Sequence, residues 1–270
     1  MEVEERFEWE GRSIAWGRAG SGPPVVFCHG TPFSSRVWSK YADALCAGFT
    51  VHLWDMPGYG ESSKDPAHAV DFGAQAKAFA ALLEHWELDR PRVVAHDFGG
   101  AVSLRAMLAE KAAYSSLMLV DVVAIPPSGS PFFQFVKRHP TTLNELPAYI
   151  HEAVLRAYVT AASHRGLREP DLEELVAPWL TDEGQSAFYR QIAQYDETFL
   201  IENERLVGEL AIPVQVVWGR DDAWIPTATG RRLAGLIPAA SYVEVPEAGH
   251  LMQYDAPVAL ATVLREWLSR

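Results

Sequence analysis

The sequence is poor in cysteine, lacks a long hydrophobic run and carries no excess of positive charge. Its two cysteines, Cys28 and Cys46, belong to neither a C-x-x-C pair nor a Cys/His cluster, which argues against a redox motif and against a metal site. No apolar run approaches the roughly 18 residues that span a bilayer, and the acidic N-terminus lacks the apolar segment of a signal peptide. We therefore expect a cytoplasmic protein with no membrane partner.

The shortage of positive charge excludes further classes of protein. Lysine and arginine number 23 against 35 aspartates and glutamates, so the formal net charge is −12. Phosphate backbones repel such a chain, which makes nucleic acid an unsuitable partner. No G-x-G-x-x-G follows the first buried strand, so a bound dinucleotide is not expected either. These absences favour a small organic molecule as the partner, predict no metal and no cofactor, and leave the oligomeric state open.

Strand and helix patterns alternate along most of the 270 residues. Such alternation predicts an α/β fold with a mostly parallel central sheet and helices on both faces. The alternation stops between about residues 124 and 208, where the chain becomes helical and rich in aromatic side chains. We predict a core of residues 1–124 and 208–270, with a helical cap of residues 125–207 inserted after the strand that ends near Asp121.

The stretch around Asp97 is the most informative in the chain. The pattern predicts a short buried strand from Val93 to Ala95 and a helix from Ala101 to Glu110. Gly99 and Gly100 lack a Cβ where the helix must pass close to the strand. A sharp strand-to-helix turn of this kind is typical of a nucleophile elbow, whose serine version reads G-x-S-x-G. Here Asp97 takes the reactive position. The simpler alternative is that Asp97 only caps the helix, which is common for a carboxylate at a helix start.

Four further polar side chains follow predicted strands, namely His29, Asp121, Asp222 and His250. Ligands of open α/β sheets bind beyond the carboxyl ends of the strands, so we expect these groups near Asp97. A nucleophile needs a base, and the base needs an orienting carboxylate. The order Asp97, Asp222, His250 is the nucleophile–acid–base order of α/β hydrolases.

With these residues in that order, the sequence resembles the α/β-hydrolase fold family over essentially its whole length. Five motifs carry the resemblance: His29-Gly30-Thr31-Pro32, Asp55-Met56-Pro57-Gly58-Tyr59-Gly60-Glu61-Ser62, the elbow, Gly219-Arg220-Asp221-Asp222 and Gly249-His250. The resemblance implies an α/β-hydrolase fold and an oxyanion loop at His29, with the backbone N–H groups of Thr31 and Phe98 as oxyanion donors.

Two carboxylates compete for the role of catalytic acid. Asp222 is preferred, because its spacing from His250 is similar to that in many members of the family. Asp121 is the alternative, because some dehalogenases of the family carry their acid after the strand that follows the nucleophile. Both positions can reach one imidazole.

The identity of the nucleophile indicates the chemistry. A carboxylate suits displacement of a leaving group at a saturated carbon, either a halide or an epoxide oxygen. The product is an ester of Asp97, which a water activated by His250 then hydrolyses. The elbow therefore resembles the aspartate-nucleophile branch of the family, which holds epoxide hydrolases and haloalkane dehalogenases.

Several differences argue against a dehalogenase. Haloalkane dehalogenases usually place Trp after the nucleophile and often Asn in the oxyanion loop, where this chain has Phe98 and Thr31. Fluoroacetate dehalogenases use arginines on the elbow helix, where this chain has Phe98 and Ala101. A halide site, if present, would use Trp179 of the cap.

The cap contains a motif that favours an epoxide hydrolase. Phe188-Tyr189-Arg190-Gln191 resembles the W-Y-R-N motif of epoxide hydrolase lids, which implies Tyr189 as the proton donor to the epoxide oxygen. Tyr149 and then Tyr158 are the candidates for a second lid tyrosine, while core packing is the expected role of Tyr158 and Tyr195.

We therefore expect a hydrolase of small apolar epoxides. The alternatives are a haloalkane or haloacid dehalogenase, an esterase or lactonase, and a non-enzymatic binding protein of the same fold.

Overall fold

One eight-stranded sheet forms the centre of the computed structural model, which describes residues 1–238 and 240–270. The strands are β1 (Glu5–Trp9), β2 (Arg12–Gly20), β3 (Pro24–Cys28), β4 (Thr50–Trp54), β5 (Arg92–His96), β6 (Ser116–Val120), β7 (Val214–Gly219) and β8 (Ala240–Val245). Their order across the sheet is β1-β2-β4-β3-β5-β6-β7-β8. Strand β2 pairs antiparallel with β1 and β4, and all later neighbours pair in parallel. The predicted mostly parallel sheet is confirmed.

Helices connect and flank these strands. They are α1 (Ser39–Leu45), α2 (Phe72–His85), α3 (Phe98–Leu108), α4 (Pro131–Arg138), α5 (Pro140–Asn144), α6 (Ala148–Thr160), α7 (Glu169–Val176), α8 (Asp182–Ala193), α9 (Thr198–Leu206), α10 (Thr227–Leu236), α11 (Met252–Asp255) and α12 (Pro257–Leu268). Short 3₁₀ turns occupy Ser35–Trp38, Ala177–Trp179 and Val207–Glu209. No helix in the described part of the chain combines the length and the apolar composition needed to cross a membrane.

The central strands are apolar because both of their faces are covered. Strands β3, β5 and β6 each bury their last four residues, and all six residues of β7 are buried. Strands that helices cover on both faces have continuous hydrophobic sequences. Val93 and Val94 of β5, for example, have no exposed surface. This rigid core fixes the positions of the loops that follow each strand.

The stretch between β6 and β7 contains helices α4 to α9 and no strand, and every residue of it is described. Ser130 accepts a hydrogen bond from the Phe133 N–H and so caps α4, while Pro131 occupies its first position. Helix α9 returns to the core, where Asn203 donates to the carbonyl oxygen of Ala101 on α3 (3.4 Å). These helices lie within the segment predicted as the cap, residues 125–207, whose division from the core stays a prediction.

Candidate active site

The elbow between β5 and α3 presents Asp97 in a strained conformation. Its φ and ψ are 49° and −120°, a region that residues with a side chain rarely adopt and that is often found at functional sites. Helix α3 begins at the next residue, so the turn is tighter than expected. A Cβ on Gly99 would lie 2.6 Å from the carbonyl oxygen of His29, which explains the glycine. The Asp97 side chain makes no capping hydrogen bond to α3, so helix capping does not account for it.

Asp97, His250 and Asp222 form one hydrogen-bonded line. Nε2 of His250 lies 3.2 Å from Oδ2 of Asp97, and Nδ1 lies 2.9 Å from Oδ2 of Asp222. Oδ1 of Asp222 accepts the backbone N–H groups of Trp224 (2.7 Å) and Ile225 (2.9 Å), which fixes the orientation of the carboxylate. His250 is fully buried. The arrangement is that of a nucleophile, a base and an orienting acid.

Asp121 occupies a different position from the one expected of a catalytic acid. Its Oδ1 accepts the Gly219 N–H at 2.7 Å, so it links the ends of β6 and β7. Its Oδ2 is buried without a hydrogen-bond partner in the described part of the chain. Burial, and then the charge of Asp222, hold the pKa of Asp121 well above its usual value. Of the two carboxylates, Asp222 is therefore the one bonded to His250.

The protonation of His250 depends on both carboxylates. Burial alone would lower the pKa of the imidazole, but the charges of Asp222 and Asp97 and their hydrogen bonds outweigh it. The net result is a pKa well above the ordinary 6.5. The resting site therefore favours an imidazolium between two carboxylates.

The oxyanion loop after β3 lies against the nucleophile. The backbone N–H of Thr31 donates to Oδ1 of Asp97 at 2.6 Å. The Phe98 N–H is in the first turn of α3, where no intrahelical acceptor exists. A Cβ on Gly30 would lie 2.2 Å from the Cβ of Asp97, so only glycine permits this approach. The predicted Thr31 N–H thus lies on the nucleophile, whereas the donor role of the Phe98 N–H stays a prediction.

His29 holds this loop in place through hydrogen bonds of both ring nitrogens. Its Nε2 accepts the Met56 N–H at 2.9 Å, so the proton must be on Nδ1, which donates to the Gly30 carbonyl oxygen at 2.9 Å. Burial lowers the pKa of His29 and keeps it neutral. Asp55 joins the same support by accepting the N–H groups of Ser35 (2.7 Å) and Glu61 (2.8 Å). His29 therefore holds the loop in place and does not line the cavity.

A small cavity of about 20 Å³ lies over Asp97. It is lined by Thr31, Asp97, Phe98, Val123, Ser128, Gly129, Ser130, Phe133, Tyr158, Tyr195, Trp224 and Ile225. The Trp224 ring stacks on His250 (4.9 Å between centroids) and on Tyr158 (4.5 Å). Such a space holds about one water molecule, so a substrate can bind only when side chains of the wall move apart.

The cap tyrosines differ from the sequence prediction. Tyr189 is buried but does not line the cavity, because its hydroxyl donates to Nδ1 of His151 (3.0 Å), whose Nε2 donates to the carbonyl oxygen of Trp179 (2.9 Å). Tyr149 is 72% exposed. The cavity is instead lined by Tyr158 and Tyr195, which were expected to pack in the core. Of the cap tyrosines, Tyr158 and Tyr195 are therefore the ones placed over Asp97, whereas Tyr189 and Tyr149 are not.

Trp179 does not offer a halide donor. Its indole N–H donates to the carbonyl oxygen of Pro32 at 2.7 Å and connects the cap to the oxyanion loop. Among residues 1–238 and 240–270, no group of three His, Cys, Asp or Glu side chains is placed to hold a metal ion.

Asp255, which sequence reasoning missed, connects the cap to the loop of His250. Its carboxylate accepts the N–H groups of His164 (2.8 Å), Arg165 (3.1 Å) and Gly249 (2.8 Å), together with the hydroxyl of Ser163 (2.5 Å). Gly249 directly precedes His250, so this carboxylate links the turn after α6 to the loop that carries His250. No short motif marks this residue, since its partners are mostly backbone groups.

Comparison with known proteins agrees with the fold. The family model described as the α/β hydrolase fold matches residues 23–257. A crystal structure of an α/β-hydrolase fold protein from Burkholderia ambifaria is 45% identical, with a TM-score of 0.96 and 98% of both chains covered. Esterase, haloalkane dehalogenase and epoxide hydrolase structures at 18–25% identity share the fold.

Curated relatives carry several activities. The acetyltransferase component of the acetoin cleaving system of Pseudomonas putida is 26% identical over 93% of this chain, which spans only 65% of that protein's length. Haloalkane dehalogenase 2 of Mycobacterium tuberculosis is 25% identical, with 92% of this chain and 88% of the relative covered.

The chain belongs to the α/β-hydrolase fold family. Its neighbours and its site together support a hydrolase of that fold.

Proposed function

We propose that this protein hydrolyses small, neutral, apolar epoxides through an ester of Asp97. The observation that carries the proposal is the placement of the nucleophile. Oδ1 of Asp97 is held by the Thr31 N–H, and Oδ2 lies beside Nε2 of His250, under a cavity lined by two tyrosines. A carboxylate held by Oδ1 at the Thr31 N–H leaves Oδ2, beside Nε2 of His250, to attack carbon.

In the first step, Oδ2 of Asp97 attacks an epoxide carbon and the ring C–O bond breaks. The leaving oxygen takes a proton from Tyr158 or Tyr195. Burial, and then the charge of Asp97, raise the pKa of Tyr158. Burial raises the pKa of Tyr195 to about 12, while its hydrogen bond with Ser128 acts in the opposite direction. Attack removes the negative charge of Asp97, so Tyr158 becomes a better acid as the ester forms.

In the second step, His250 takes a proton from water, and the hydroxide formed attacks the ester carbonyl carbon of Asp97. The carbonyl oxygen at this stage is Oδ1, which already lies at the Thr31 N–H. The negative charge that develops on it is therefore stabilised by donors in place before the reaction, as in other acyl-transfer sites. Collapse of the intermediate releases the diol and restores the carboxylate.

The lining of the cavity favours neutral substrates. It contains aromatic and aliphatic side chains and several hydroxyls, and none of its described residues is lysine or arginine. A substrate carboxylate would meet the charge of Asp97 with no cation to compensate it. This argues against the haloacid alternative and for small apolar molecules.

A haloalkane dehalogenase is the second candidate, because Trp224 offers an indole donor that the sequence analysis did not consider. The ring lines the cavity and stacks on His250, and its N–H is bonded to no acceptor in the part of the chain that the structure describes. The Mycobacterium tuberculosis relative supports this alternative by its name.

A panel of small epoxides, haloalkanes, haloacids and aryl esters separates these functions when the products are analysed. Diol formation from an epoxide supports the proposal, and halide release without diol formation supports the second candidate. Turnover of aryl esters alone would contradict both and favour an esterase. Saturable binding without any turnover would indicate a binding protein.

A further inference from the structure

A second cavity lies at the opposite edge of the sheet from Asp97. It has a volume of about 380 Å³, within the range of small-ligand sites. Its walls include residues from four neighbouring strands and from the end of the chain. They are Arg92 at the start of β5, Ser116 at the start of β6, Gln215 on β7, Ser241 on β8, Trp267 in the last turn of α12 and Arg270 after that helix. Five residues of β5 separate it from the elbow, which is roughly 16 Å at the rise of a strand. It is therefore distinct from the catalytic site.

The polar side chains of this cavity are left without partners. Neither guanidinium group forms an ion pair with another described residue, whereas Arg220 and Arg231, on the β8 side of the sheet, both bind Glu244. Gln215 is only 4% exposed, yet its Oε1 has no hydrogen-bond donor in the part of the chain described. Leaving a buried acceptor unpaired costs free energy, so we expect a hydroxyl group of a bound ligand to donate a hydrogen bond to it.

The charge of the cavity is opposite to that of the protein. The formal net charge is −12, but the described lining residues include two arginines and no aspartate or glutamate. Two guanidinium groups with serine hydroxyls suit phosphate oxygens, which guanidinium binds through two parallel hydrogen bonds. The Gln215 acceptor and the Trp267 ring suit a hydroxylated carbon skeleton.

We propose that this cavity, at the amino-terminal edge of the parallel strands, binds a phosphomonoester of a small polyol. The phosphate lies between Arg92 and Arg270, and a hydroxyl group of the polyol donates to Oε1 of Gln215. This site is independent of the chemistry proposed for Asp97.

Calorimetric titration of the whole protein with glycerol 3-phosphate tests the proposal, with inorganic phosphate and glycerol as separate probes. We expect saturable binding of glycerol 3-phosphate that is tighter than that of phosphate and weakens at high salt. Arg92→Gln should weaken binding about tenfold or more, since it removes a charge-assisted hydrogen bond. Arg90→Gln is the matched control, because it removes the same charge two residues away, from an exposed side chain outside the cavity.

Gln215→Met tests the hydroxyl contact and keeps the length of the side chain. It should reduce the affinity for glycerol 3-phosphate to that for phosphate and leave phosphate binding unchanged. Equal weakening by the Arg90 and Arg92 substitutions would show a diffuse charge effect and overturn the site. Failure to bind either phosphate probe at millimolar concentration would overturn it as well, whether or not epoxides are substrates.

Discussion

Replacing Asp222 by asparagine tests the proposed catalytic acid. Oδ1 of Asp222 accepts the N–H groups of Trp224 and Ile225, while Oδ2 faces Nδ1 of His250. An asparagine must keep its carbonyl oxygen on the two N–H groups, so its NH₂ group points at Nδ1. Because NH₂ donates, Nδ1 becomes an acceptor and the imidazole proton moves to Nε2. That tautomer cannot take a proton from water.

The size of the effect follows from the step that fails. An imidazole held in the wrong tautomer costs about 10⁴ in kcat in triad enzymes, which corresponds to about 5 kcal/mol of barrier. Only ester hydrolysis needs the base, because Asp97 is an anion and attacks without one. We therefore expect kcat to fall about 10⁴-fold, with little change in the rate of ester formation.

Rapid quenching followed by intact-mass measurement separates the two steps, using any substrate that the panel identifies. The variant should give one equivalent of ester in a burst and then almost no turnover. Asp121→Asn is the control: burial favours the protonated form of Asp121, which an amide resembles, so kcat should change by less than about tenfold. A larger loss in the Asp121 variant, or an Asp222 variant in which ester formation slows as much as turnover, would refute the reasoning.

Three further predictions concern the leaving group, the ester and acid stability. Of the Tyr158→Phe and Tyr195→Phe variants, the one that removes the proton donor should open epoxides roughly 10² to 10⁴ times more slowly. Tyr189→Phe should have little effect, because the Tyr189 hydroxyl is bonded to His151. Rates on an aryl ester, whose leaving group needs no proton, should stay the same in all three variants. His250→Gln should accumulate one substrate-derived ester on the peptide that contains Asp97, visible by mass spectrometry after digestion, and consumption without an adduct would count against the covalent mechanism. Burial, and then the charge of His250, lower the pKa of His96 from 6.5 to about 3, so in this window only the unfolded chain binds the proton and stability falls as the pH falls. Between pH 7 and about 4.5, the free energy of unfolding of His96→Gln, measured with denaturant, should therefore fall by about 2.5 kcal/mol less than that of the wild type. Equal losses would show that His96 is not the cause.

The fold was predictable because its determinants are local. Each central strand is a short apolar run, and each is followed by a turn with polar or glycine residues that the sequence shows directly. Helices such as α10 and α12 alternate with or follow these strands, as the predicted α/β pattern requires. The start of α3 was placed three residues too late, because Gly99 and Gly100 lie inside its first turn, where they permit the close packing that was predicted for them.

The walls of the cavity were harder to predict, because the motif in the cap did not show which face of a helix points inward. On α6, the buried residues His151, Leu155 and Val159 recur at helical spacing, and Tyr158 lies beside this stripe while Tyr149 is outside it. This periodicity was available in the sequence and favours Tyr158 over Tyr149. The bond between Tyr189 and His151 joins two different helices, so no spacing along the chain reveals it.

The charge balance at the site also sets the order of the two proposed steps. In the free enzyme, two carboxylates hold the pKa of His250 well above its ordinary value, so the ring carries a proton while Asp97 attacks. Ester formation removes the charge of Asp97 and with it one of the two groups that favour the imidazolium. Burial then favours the neutral ring. The proton that His250 releases goes to the tyrosinate that epoxide opening leaves behind. The base thus becomes available only once an ester exists for it to hydrolyse. In pH profiles, kcat should fall on the acid side with the pKa of His250 in the ester form, whereas kcat/KM should show no such limb, because the first step needs no base.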